Sequence, residues 1–74
     1  MLQAMQREQW ITAFAAQAGV EPPTAEQVER LLALAGVAAH ASERTAAPIA
    51  CWIAGRADAS VDELIAAAER VKGD

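Results

Sequence analysis

The sequence has no tyrosine, one phenylalanine, two tryptophans, one histidine and one cysteine in 74 residues. Each scarcity excludes something. A single thiol, Cys51, forms no internal disulfide, and with His40 as the sole histidine there is no cysteine/histidine cluster of zinc-site spacing. A reducing cytoplasm is the expected setting. Six basic residues stand against ten acidic ones, giving a net charge of -4. The basic residues Arg7, Arg30, Arg44, Arg56, Arg70 and Lys72 are scattered, so neither nucleic acid nor an anionic membrane is an expected partner. No stretch approaches the roughly 20 apolar residues of a membrane span, and the opening MLQAMQREQW lacks the apolar core of a signal peptide. The glycines are dispersed at Gly19, Gly36, Gly55 and Gly73, with no phosphate-cradling loop among them. No carboxylates have calcium-loop spacing.

Length bounds the rest. A chain of 74 residues is one domain, near the lower limit of what a hydrophobic core sustains alone. It is too short to wall off a deep, dry pocket, so neither enzyme activity nor a cofactor is expected. Hydrophobic residues make up 54% of the chain. That figure overstates the core, because roughly a quarter of the chain is alanine, which buries little at about 25 cal/mol per Å². Alanine favours helix instead and lets helices approach closely.

What is present is helical punctuation. No segment alternates apolar and polar residues with period two, so no sheet is expected. A first helix over about 5–18 carries Trp10, Ile11, Phe14, Ala15 and Ala18 on one stripe. Gly19 supplies its stop, and Pro22-Pro23 forbids continuation. Thr24 with Gln27 reads as a capping box opening a second helix over about 25–40. Its apolar residues Val28, Leu31, Leu32, Ala35 and Ala39 are widened by Leu34, Val37 and Ala38, the pattern of a central helix. Gly36 in its interior suggests close contact with a neighbour. A third helix over about 47–55 tolerates Pro48 in its first turn, with Ile49, Trp52 and Ile53 as the expected buried face and an end near Gly55. Ser60 and Glu63 form a second capping box, opening a fourth helix over about 61–72 with a stripe of Val61, Leu64, Ile65, Ala68 and Val71, closed at Gly73. The expected fold is all-α, a compact bundle of four short helices.

The residues that carry chemistry lack partners. His40 would need an orienting carboxylate to act as a base; Glu43, three positions on, is the one candidate, and local helix-end electrostatics is the plainer role. Ser42 beside His40 has no nucleophile elbow around it. Cys51 reads as a small packing residue. A phosphopantetheine carrier would need Asp-Ser at a helix start, whereas here Ala59 precedes Ser60. Trp10 and Trp52 read as core, each indole N–H reaching a carbonyl at the edge. The competing reading makes Trp52 an exposed anchor for a partner.

Alanine-His at Ala39-His40, the polar turn Ser42-Glu43-Arg44-Thr45, then Ala46-Ala47-Pro48 and an apolar helix closed by Gly55, with Trp10 upstream, form one pattern. Over about Glu8 to Val71 it resembles a small actinobacterial domain family of unknown function. Similar segments are appended to molybdenum cofactor guanylyltransferase-like proteins, so the resemblance implies an accessory or docking module near molybdoenzyme maturation, with no catalytic residues.

Three functions follow as expectations. The first is a non-enzymatic interaction module whose partner is another protein and whose docking face includes His40, Glu43, Arg44, Pro48 and Arg56. The second is a small anion- or cofactor-binding domain in which His40, Arg44 and Arg56 converge beside a helix start. The third is a structural homo-oligomer, prompted by the thin core and alanine-rich faces.

Overall fold

The computed structural model describes residues 5–71. Four helices follow in order: α1 (Arg7–Ala18), α2 (Ala25–Ala41), α3 (Ala46–Arg56) and α4 (Val61–Arg70). The architecture is an all-α bundle, with no strand among the described residues.

Local chemistry sets the boundaries. The Gln27 N–H donates to Thr24 Oγ1 at 3.1 Å while the Thr24 N–H donates to Gln27 Oε1 at 2.8 Å, closing the box at the start of α2. Ser60 and Glu63 do the same for α4, at 3.1 and 2.9 Å. Helix α1 begins at Arg7, after Met5 and Gln6, because the Gln6 N–H finds the Gln9 side-chain oxygen at 3.2 Å. It ends where Gly19 takes the left-handed conformation at φ 77° and returns N–H bonds to the last turn. Helices α2 and α3 each run one residue past the expected end, and α4 stops at Arg70. Lys72 and Gly73 lie outside the described residues.

Helix α2 is the centre, with α3 and α4 both packed against it; α1 makes no comparable packing with any of them. An ion pair of 3.1 Å between Arg30 and Asp62 joins the starts of α2 and α4. His40 and Glu69, near their other ends, border one groove, so these two helices run in the same direction. Helix α3 returns antiparallel along α2 after a four-residue turn, Ser42 to Thr45.

The core departs from the expected one in a consistent way. Among the described residues only Leu34, at 3% exposure, and Ala15, at 5%, are buried. Trp10, Phe14, Ile49 and Ile53, all expected inside, and Trp52, for which burial and exposure were competing readings, are 54 to 63% exposed. Helix α3 instead turns Ala46, Ala47, Ala50, Cys51 and Ala54 inward, all half-buried. Its small residues form a complete stripe of their own at positions i, i+1, i+4, i+5 and i+8, and that stripe lets α3 lie close to α2. The large residues take the opposite face. Helix α1 repeats the pattern, with Ile11 and Ala15 inward and Trp10 and Phe14 outward. In α4 the expected stripe of Val61, Leu64, Ile65 and Ala68 is half-buried, but Val71 is exposed. Gly36 is not a point of close approach: a Cβ added there meets no atom within 4 Å.

Candidate docking surface

The outward face of α3 is built by helical spacing. Ile49, Trp52, Ile53 and Arg56 fall at i, i+3, i+4 and i+7, one continuous stripe. The Arg56 guanidinium lies 4.8 Å from the centre of the Trp52 ring, a cation–π contact that caps the stripe and keeps the indole in place. Ile49 and Ile53 also form one wall of an open groove of about 500 Å³, whose floor is Val37, Ala38 and Ala41 of α2 and whose far wall is Ala68 and Val71. The groove is apolar within; its polar atoms sit at one end, on Ser42, Glu43 and Thr45. A second, narrower hollow continues it between α3 and α4, sharing Ala50, Ile53, Ala68 and Val71 and reaching Leu34. Groove and stripe therefore form one apolar surface, with Ile49 and Ile53 on the ridge between them.

The turn that leads into α3 is held by its backbone. The Ala46 N–H donates to the Glu43 carbonyl at 2.8 Å and the Ala47 N–H to the Arg44 carbonyl at 3.1 Å. Pro48 follows in the first turn of α3 and is exposed. Glu43, Arg44 and His40 are exposed too. No hydrogen bond or ion pair joins His40 to Glu43 among the described residues. Glu43 and Pro48 thus border the apolar surface at the end nearest the turn, and Arg56 closes its other end.

Arg44 and Arg56 stand at opposite ends of α3. Arg44 precedes α3 and Arg56 ends it, so the length of the helix, about 17 Å at 1.5 Å per residue, lies between them. His40 belongs to another groove, shared with Gly36 and Glu69 between α2 and α4. Among the described residues no three histidine, cysteine or carboxylate side chains come together to hold a metal ion. Among the same residues, no helix is long and apolar enough to cross a membrane.

One family model, for a domain of unknown function, DUF6457, matches residues 2–73. The chain belongs to that family. No curated protein and no solved structure matches it. Membership brings a domain boundary and no assigned chemistry, so the surface itself has to carry the functional argument.

Of the residues named from the sequence, Glu43, Arg44, Pro48 and Arg56 precede or belong to α3, whereas Ile49 and Ile53, expected on its buried face, are exposed. A signal for this existed. A helix bearing two complete stripes, one small and one large, has a choice of which to bury, and Arg56 sits in register with the large one.

Proposed function

We propose that this domain is a non-enzymatic interaction module that docks an apolar helix of a partner protein on the outward face of α3 and the adjoining groove. The observation that carries this reading is the inversion in α3: the helix packs on α2 through alanines and leaves Ile49, Trp52 and Ile53 in water. At about 200 Å² for each large side chain, those three expose about 350 Å². Covering that area contributes roughly 9 kcal/mol at 25 cal/mol per Å². Association costs lie between about 4 and 15 kcal/mol. The stripe alone is therefore marginal, and the groove beside it is needed to bring a docked helix into the micromolar range. Helix-in-groove recognition suits this shape, with anchors at i, i+3 or i+4 entering from the partner. Glu43, Arg44 and Pro48 at the rim select the partner's orientation, and rim charges act mainly on the rate of encounter.

The resemblance to segments appended to molybdenum cofactor guanylyltransferase-like proteins supplies the first partner class to try, and with it a place in molybdoenzyme maturation. The test is site-specific photo-crosslinking in the native cell, with a benzophenone side chain at position 52 or, as control, at Arg70 on α4. Partner adducts at 52 and none at 70 support the reading. Equal adducts at both, or none, overturn it. Binding of purified guanylyltransferase-like protein to the wild type and not to Trp52→Glu supports the link to molybdenum enzymes; equal or absent binding removes that link alone.

A further inference from the structure

The chain carries a second unpartnered apolar stripe, and it is shaped like the missing occupant of the first. On α1, Trp10 and Phe14 lie one turn apart with ring centres 5.1 Å from each other, stacked at 27°. Both are more than half exposed, as is Met5 before the helix. Helix α1 packs less on the rest of its own molecule than α3 and α4 do on α2, and it does so through Ile11 and Ala15, on the face away from Trp10 and Phe14. Trp10 and Phe14 are four residues apart, as are Ile49 and Ile53, so each apolar stripe extends about 6 Å along its helix at 1.5 Å per residue.

We infer that the helix docked on α3 is α1 of a second copy of this chain, exchanged reciprocally in a twofold dimer. This inference rests on the docking surface proposed above and names the occupant of that surface in the protein alone, which a helix of a foreign partner would have to displace. In an antiparallel arrangement Trp10 lies beside Trp52 and Ile53, and Phe14 lies beside Ile49 and enters the groove. The area decides for a second copy over an unrelated helix. Met5, Trp10, Phe14, Ile49, Trp52 and Ile53 together expose about 700 Å² at about 200 Å² per full side chain. A stable interface takes about 800 Å² from each partner. One foreign helix covers the α3 stripe and leaves α1 bare. A twofold dimer covers both stripes on both chains, and makes the marginal contact twice for a single loss of translational freedom.

Sedimentation equilibrium on the full chain tests this, loaded at roughly 100 µM, which saturates a micromolar dimer. The wild type is expected at twice its mass of 7.8 kDa. Trp10→Ala/Phe14→Ala lacks the donor stripe and Trp52→Glu the acceptor; each is expected at the monomer mass with unchanged circular dichroism, since all three side chains face water. Mixed in equal amounts, the two variants are expected to regain a dimer fraction, because one of the two exchanged contacts is intact in the pair. A monomeric wild type overturns the inference. So does a wild-type dimer that survives Trp10→Ala/Phe14→Ala and is lost in Trp52→Glu, which means α3 pairs with α3. In either case crosslinking from position 52 still decides the docking reading separately. A monomer whose Trp10 emission is as shifted as that of a buried indole also overturns it, with α1 folded back on its own groove.

Discussion

Gly36→Ala is the sharpest perturbation of this fold. Glycine inside a helix costs about 0.8–1.0 kcal/mol relative to alanine, because its backbone loses more freedom on folding. Proteins bear that cost where a side chain would collide with a neighbour. Gly36 has helical neighbours on both sides in α2 and faces the groove bordered by His40 and Glu69. A Cβ placed there meets nothing within 4 Å. No steric cost offsets the gain, so the variant should be more stable by about 1 kcal/mol, which raises Tm by about 4–8 °C in a domain of this size. Thermal unfolding followed by far-ultraviolet circular dichroism at fixed protein concentration measures the shift. Gly19→Ala is the control of opposite sign: its φ of 77° costs an alanine roughly 1–2 kcal/mol, whatever the space around it. An unchanged or lowered Tm for Gly36→Ala would refute the reasoning, since it would mean that α4 lies closer to α2 than the open groove allows.

Three further perturbations test other parts of the account. Thr24→Ala and Ser60→Ala should each lower stability by about 1 kcal/mol in chemical denaturation, with Ser60→Asp retaining most of it, because each hydroxyl caps an N–H that has no other partner. Arg30→Ala should cost no more than about 0.5 kcal/mol and nothing in high salt, since both members of its pair with Asp62 are half or more exposed. The Arg7 guanidinium hydrogen-bonds the Glu8 carboxylate and holds its pKa below the usual value. A lowered folded pKa contributes stability that is present above the unfolded pKa and is lost as pH falls through the folded one. Arg7→Ala should move the Glu8 titration, followed by NMR, up toward the ordinary carboxylate range, with the backbone hydrogen bond still holding it somewhat down; an unmoved titration would show that the pair does not form in solution.

The helices were legible because their signals are local. Thr24 and Gln27, Ser60 and Glu63, Gly19 and Pro22-Pro23 act within one turn of the chain, and the structure uses each of them. The central place of α2 was legible too, since a helix apolar on several sides needs more than one neighbour. The core was misread where two stripes compete. In α3, hydrophobicity favours burying Ile49, Trp52 and Ile53, and area bookkeeping alone would choose them. Close packing favours the alanines, because small side chains let the axes approach and bring many backbone atoms into contact. Which contribution wins depends on what lies opposite, and α2 presents Leu34, Val37, Ala38 and Ala41 beside α3, a face whose alanines suit a close partner. Such information is tertiary and is absent from the periodicity of α3 itself.

The candidate site shares that origin. Polar residues at a turn attract attention as chemistry, yet Arg44 and Arg56 lie at opposite ends of α3, and among the described residues no carboxylate hydrogen-bonds or pairs with His40. The distinctive chemistry of this chain is apolar and outside. A domain with two buried side chains among its described residues has little from which to draw the usual 5–15 kcal/mol of stability, and small domains of this kind commonly gain the remainder from a metal, a disulfide or assembly. Cys51 is free and the described residues gather no metal-binding cluster. Assembly of the kind proposed above would be another route, since Trp10 and Phe14 on α1 and Ile49, Trp52 and Ile53 on α3 lie exposed. Stability and recognition are then one quantity, because whatever covers Trp52 and its neighbours binds the folded state only and shifts the folding equilibrium by mass action.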